Sequence, residues 1–219
     1  TFLWLLGFRS GRVQWAAFWA IVVAYWAAWA LYPVAGDFGA HWAKNANLGS
    51  AFDFWLLNAL PHSKPFVENS GGYLTLSFIP TLGTMILGLI AGRWLREEEP
   101  EVPMTRLAVY GVAGLALGAL LHFTGVCPVV KRIWTPSWVL ASGGACLLLL
   151  AAFMAWLPAG RTSRLASPLL VIGANSIAAY VMAHLFDAFI AKNLVTHFGT
   201  APFRVFGPAY EPLLQGAAV

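Results

Sequence analysis

Apolar runs dominate this chain. Five of them reach or approach the about 20 residues that a helix needs to cross a bilayer: 13–34, 73–95, 107–123, 137–157 and 168–190. The third is the shortest, and with Arg106 at its start and an apolar run beyond His122 it spans with little tilt. The connections are short except for residues 36–72. That stretch holds His41, Lys44, Asn45, Asn47, Asp53, Asn58, His62, Lys64, Glu68 and Asn69, and it is too long for a mere connector. Within it, SAFDFWLLNAL has the composition of a helix lying in the membrane interface. The expected fold class is all-α: a polytopic membrane bundle with about five spans in a single transmembrane domain covering residues 1–219.

Composition sharpens this picture. Hydrophobic residues make up 59% and charged residues 10%, far below the roughly 25% charged residues of a soluble domain. The mean hydropathy is +0.70. Eleven Trp, fifteen Phe and six Tyr suit aromatic belts at two interfaces. The net charge of +4 is scattered in ones and twos between apolar runs, so it sets topology and forms no surface for nucleic acid. Cys127 and Cys146 lie in or beside apolar segments without the spacing of a zinc site or disulfide framework, and no metal is expected. The opening TFLWLLGF reads as the tail of an earlier apolar helix and not as a signal peptide, so a fragment of a longer protein is expected.

Alternating sides collect Arg9, Arg12, Arg93, Arg96, Arg106, Arg161 and Arg164 against Lys44, Lys64, Lys131, Arg132, Lys192 and Arg204. The first group sits in short linkers at helix ends, where the positive-inside rule acts most strongly. The REEEPEVP linker is therefore expected in the cytoplasm. Residues 36–72, the CPVVKRIW turn and the C-terminal tail then face the periplasm or an equivalent compartment.

Polar positions inside the spans mark faces that avoid lipid. Ser77, Thr81, Thr84, Gly88 and Gly92 form one stripe in the second span, and Gly111, Gly114, Gly118 and His122 form another in the third. GLIAG and GLALG are GxxxG patterns, which serve helix packing or line a polar cavity, within one chain or between chains of a homo-oligomer. His122 ends its stripe at an interface, where snorkelling, hydrogen bonding or function would account for it. In the fifth span, Gly173, Ser176, Tyr180, His184 and Asp187 share a face beside Asn175. An unpaired polar group in hydrocarbon costs roughly 1–3 kcal/mol, so this face is expected to meet protein or water. Interhelical hydrogen bonding and a substrate or cofactor cavity both explain it. In the first span, Trp15, Trp19, Trp26 and Trp29 stack on one side for packing, lipid contact or a ring-shaped ligand.

Taken in order, GGYLTLSFIPTLGTMILGLIAG, CPVVKRIWTPSWVL and GANSIAAYV resemble the heparan-alpha-glucosaminide N-acetyltransferase family of polytopic transmembrane acyltransferases, in particular its bacterial branch of unknown function. The matched motifs run from about Gly71 to Val181, and the segment before them looks like an insertion of that branch. The resemblance implies transfer of an acetyl group from cytoplasmic acetyl-CoA to an amino or hydroxyl group of a glycan on the outer side of a bacterial inner membrane. It also implies that this chain carries the second half of a larger bundle. The family's HxxW histidine motif and FPxFxFxxG helix have no counterpart here, since His41 and Trp42 are adjacent.

Matched to the motifs, Lys131 and Trp134 correspond to the Lys and Trp of the turn, and Asn175 and Ser176 to the amide and hydroxyl of the G(x)NSI helix. Acetyl transfer needs a base, donors for the thioester oxyanion and groups for the CoA phosphates. The resulting candidates for proton transfer are His184, His41 and His122. Asn175, Ser176, Arg93 and Arg161 are the candidates for holding acetyl-CoA, and Lys131, Trp134, Lys44, Asn45 and Tyr180 those for the acceptor. A transporter or flippase module is the competing reading, with helices broken at Pro80 or Gly173. A structural membrane subunit without chemistry fits the GxxxG faces but not the polar face of the fifth span.

Overall fold

A computed structural model describes residues 10–61, 64–96, 101–156, 171, 173–205, 207 and 211. The described residues form helices and short 3-10 turns, without strands: α1 (Gly11–Ala30), α2 (Leu48–Ala59), α3 (Phe78–Trp94), α4 (Glu101–Phe123), α5 (Pro136–Trp156) and α6 (Ser176–Phe198). Three 3-10 turns, Phe38–Trp42, Thr75–Ser77 and Ala201–Arg204, complete the inventory. The fold is all-α, as the apolar runs predict.

Four helical segments are long and apolar enough to cross a membrane: Gly11–Ala30, Thr75–Trp94, Pro103–Phe123 and Pro136–Trp156. By these spans the chain is an integral membrane protein. The first four predicted windows coincide with them to within a few residues. The fifth window, 168–190, meets α6 only in part, because helical residues at Val171, Gly173 and Ala174 give way to a turn at Asn175 before α6 begins. The chain divides into two compact units, 1–156 and 157–219, where one domain is expected from sequence.

In the first unit α1 packs on α3, α3 on α5, and α4 along α5. The α4–α5 seam is the tightest. A Cβ added at Gly114 would lie 2.9 Å from the Leu140 carbonyl oxygen, and one at Gly118 2.9 Å from that of Ser137. A Cβ added at Gly144 would lie closer still to the Gly111 carbonyl oxygen, at 2.6 Å. The GLALG face is thus used for packing inside the chain, which leaves the backbones close enough for dispersion along their length. GLIAG is different: nothing lies within 4 Å of a Cβ at Gly88 or Gly92.

A core of Phe18, Ile86, Ile90, Trp94, Leu107 and Val139 runs through the bundle. At one end Arg93 lays its guanidinium against Gly11, and Trp94 sits 5.0 Å from Tyr110. The other end is closed by a cap of residues 31–61 and 64–74 together with the turn 124–135. Here Tyr25, Trp29, Trp42, Leu74, Cys127 and Ile133 form a second core. Tyr25 donates its hydroxyl to the Ile133 carbonyl at 3.0 Å, and Trp26 donates its indole N–H to that of Val126 at 3.0 Å. Of the aligned indoles in α1, Trp29 is therefore core, Trp26 a clasp on the turn, and Trp19 exposed.

The seam yields a direct test. Gly118→Leu is expected to drive α4 from α5 and to lower stability by on the order of 1–3 kcal/mol, as overpacking does. Gly88→Ala meets open space and is expected to be neutral or slightly stabilising through helix propensity. Thermal unfolding of both variants in detergent measures the contrast.

Candidate functional site

The cap is built by local rules. Asn47 caps α2 with its Oδ1, which accepts from the Ser50 amide at 3.0 Å, while its Nδ2 donates to the Ala43 carbonyl at 2.7 Å. With all of that satisfied, Asn47 is buried at 1% exposure. The helix it starts is inverted relative to a soluble one. Asp53 is 3% exposed while its neighbours Phe54 and Trp55 are 55% and 64% exposed. Outward aromatics and an inward carboxylate suit a helix at the membrane interface, as SAFDFWLLNAL predicts. The Asp53 carboxylate accepts from the Thr75 amide at 3.1 and 3.2 Å, so it satisfies an amide at the start of the second span and complements the positive end of that helix.

The return segment is fixed in the same way. Asn58 donates to the Phe66 carbonyl and accepts from the Phe66 amide, both at 2.9 Å. Lys44 donates from Nζ to the Ser70 carbonyl at 2.7 Å, and its stem covers Gly72, whose φ of +71° favours a residue without a side chain. Asn45, at φ +59°, donates from Nδ2 to Glu68 Oε2 at 2.7 Å.

These contacts leave an open cleft of about 540 Å³ between α2, the chain following α1 and residues 66–69. Its polar lining includes Asn45, Asn47, Ser50, Asp53, Glu68 and Asn69. Phe54 and Phe66 add rings beside them. Carboxylates and amides that alternate with aromatic faces recognise molecules bearing several hydroxyl or amino groups, because each polar atom finds a partner and each apolar face a ring.

The turn 124–135 forms the second part of the cap. Thr135 Oγ1 accepts from the Val130 amide at 3.0 Å and donates to the Pro128 carbonyl at 2.8 Å; Ser137 donates to the same carbonyl at 2.7 Å. Pro136 then opens α5, where its missing N–H costs nothing. Trp134 adopts φ +51°, rare for a bulky residue, and is held by its indole N–H on Thr84 Oγ1 at 3.4 Å and an edge contact with Trp138. Burial pushes the Cys127 thiol up, partly offset by hydrogen bonding with Ser137.

Of the residues singled out from sequence, Lys44 and Asn45 come together in the first part of the cap, Asn45 in the cleft lining and Lys44 bracing the turn behind it. His41 lies in the 3-10 turn beside Phe38, its Nδ1 buried with no partner among the described residues. His122 accepts from the Val129 amide at 3.3 Å through Nδ1, so it ties α4 to the following turn. Lys131 is exposed on that turn. Arg93 belongs to the opposite end of the bundle. In the second unit, Asn175 donates both its amide N–H and its side-chain Nδ2 to the Val171 carbonyl, at 3.1 and 3.0 Å, which satisfies the helix across the turn. Ser176 starts α6 and Tyr180 follows one turn later. Arg161 and the side chain of His184 lie outside the described residues.

The cleft residues Asn47, Ser50, Asp53, Glu68 and Asn69 escape selection from sequence, where they read as undifferentiated polarity of the 36–72 segment. The Asn47-x-x-Ser50 cap ahead of an apolar run is the signal that places the first two. No family model matches the chain, and no match was found among curated proteins or solved structures.

Two outcomes check this architecture. Asp53→Ala removes the partner of the Thr75 amide and is expected to cost about 1–2 kcal/mol, the scale of a lost cap, read as a lower melting temperature in detergent. The folded Cys127 thiol holds its proton more tightly than the unfolded one, so its contribution is complete below the ordinary thiol pKa and falls as pH rises beyond it. Cys127→Ala should flatten that alkaline decline in a pH series of melting temperatures.

Proposed function

We propose that the chain is part of an integral membrane acyltransferase that moves an acetyl group from acetyl-CoA to an amino or hydroxyl group of a glycan. The cap binds the acceptor, and it faces the periplasm of a bacterial inner membrane. The observation that carries this reading is the cleft: about 540 Å³, lined by carboxylates, amides and rings, at the end of the bundle away from Arg93. Arg93, Arg96 and Arg106 mark that opposite end as the cytoplasmic one by the positive-inside rule, so donor and acceptor approach from opposite sides. The resemblance of the GLIAG, PVVKRIW and GANSI motifs to the transmembrane acetyltransferase family supports the chemistry.

In this reading Asn45 and Glu68 present amide and carboxylate groups to the acceptor, and Lys131 and Trp134 lie in the turn that forms the second part of the cap. In the second unit, Asn175 and Ser176 meet acetyl-CoA at the start of α6. His41, with its unpartnered Nδ1, is the described histidine best suited to exchange a proton, since the corresponding nitrogen of His122 accepts from Val129. A transporter or flippase module draws on the helix interruption at Asn175. Against it, α3 continues unbroken through Pro80, which lies in its first turn.

The test uses the protein purified in detergent. Acetyl-CoA is expected to raise its melting temperature, with the shift lost in Asn175→Ala and kept in Lys131→Ala; glucosamine oligomers are expected to give a separate shift lost in Asn45→Ala. No shift with any acyl-CoA overturns the donor assignment. A shift with amino sugars alone then favours the transporter module.

A further inference from the structure

A second cavity, of about 330 Å³, opens on the flank of the bundle between α1 and α4. Trp15 and Trp19 of α1 face Tyr110, Ala113 and Leu117 of α4 across it. Leu87 of α3 and Leu140 of α5 are among the side chains beneath. Towards the Arg93 end, rings close the gap: Trp15 stacks on Tyr110 with centroids 5.1 Å apart, and Trp94 packs against the same Tyr110. Beyond this closure Gly114 and Gly144 contribute no side chains, and the space stays open. From Tyr110 to Leu117 the groove follows α4 for about 10 Å at the helical rise of 1.5 Å per residue. Its rim is open, with Trp19 and Tyr110 40% and 42% exposed.

The lining is almost wholly apolar, so water finds too few partners there. An empty groove forfeits dispersion contacts along every wall. Because these helices cross a membrane, the material that meets the rim is lipid hydrocarbon. Charge then selects which lipid. Arg12 precedes Trp15 by three residues and Trp19 by seven, and Arg106 precedes Tyr110 by four, so each wall carries an exposed arginine on the groove's own face. Both stand about one helical turn beyond the aromatic closure, at the depth where a headgroup meets a chain that has entered the groove. Guanidinium groups bind phosphate oxygens in pairs, and a headgroup with its own ammonium brings a repelling cation to the same place.

We infer that this groove holds one acyl chain of an anionic phospholipid from the leaflet on the arginine side, with its phosphate between Arg12 and Arg106. The site is separate from the cap cleft and does not depend on the acyltransfer reading.

Tryptophan quenching in nanodiscs tests it on the unaltered protein. Phosphatidylglycerol brominated on its chains is expected to quench more than brominated phosphatidylcholine at equal mole fraction, and Trp15→Phe/Trp19→Phe should remove the difference. Equal quenching by the two lipids overturns the anionic assignment, and a difference that survives in the double variant places the lipid elsewhere. Native mass spectrometry adds a second readout. Ala113→Phe fills the groove from an exposed position and should abolish retention of phosphatidylglycerol, whereas R12Q and R106Q should each reduce its preference over phosphatidylcholine by about fivefold, the scale of one basic side chain at an anionic surface. Unchanged retention in a monodisperse Ala113→Phe overturns the groove. If that variant does not fold, the quenching comparison decides.

Discussion

The close approach of α4 and α5 is the contact on which the other helices of the first unit depend. Lipid offers no hydrophobic drive for helices to associate, so association rests on dispersion between surfaces that fit closely. Gly111, Gly114 and Gly118 on α4 and Gly144 on α5 remove the side chains that would hold the two backbones apart. The pair then acts as a frame. The turn it carries at one end receives Tyr25 and Trp26 of α1, and the α5 face opposite receives α3. The glycines that tighten one side of the frame also leave the groove between α1 and α4 unfilled.

At the cap the governing constraint is different. Polar backbone and side-chain groups gather at the end of an apolar bundle, and each needs a partner before it can be buried. Asn47, Asp53, Asn58, Thr135 and Ser137 supply those partners within a few residues of their own turns or across to the next span. Asp53 joins two of these tasks, since it lets α2 turn its aromatics outward and fixes where the second span begins. The cleft is the space these bonds leave between them. Its rigidity follows from how many of its walls are themselves hydrogen-bonded.

That arrangement separates two kinds of surface in one small unit. The cap cleft mixes carboxylates, amides and rings and suits a polar ligand. The flank groove is apolar with arginines beyond one end and suits an amphiphile. A molecule with one chemistry gains little at the other site, because unpaired polar atoms in the groove and unhydrated chains in the cleft both lose more than they gain.

Spans one to four were legible in the sequence, because a bilayer demands about 20 apolar residues per helix whatever the partners. The helix in SAFDFWLLNAL was legible as well, as an apolar run behind the Asn47 cap. The fifth window was less so, since the backbone at Asn175, with φ −118° and ψ 31°, leaves the helical region, and apolarity runs on regardless of such a break. Which GxxxG pattern packs was not legible at all. GLALG and GLIAG read alike, and only the neighbouring helix distinguishes Gly118, pressed on Ser137, from Gly88 in open space. The site divided likewise. Asn45 and Lys44 stood out as polar residues in an apolar chain, but Glu68 joined Asn45 only when a bond between residues twenty-three positions apart closed the cap. Sequence thus determined the membrane and the first four spans, through solvation that acts on each segment alone. Tertiary structure decided which faces met and which polar groups converged, because those depend on distances between segments that no single segment encodes.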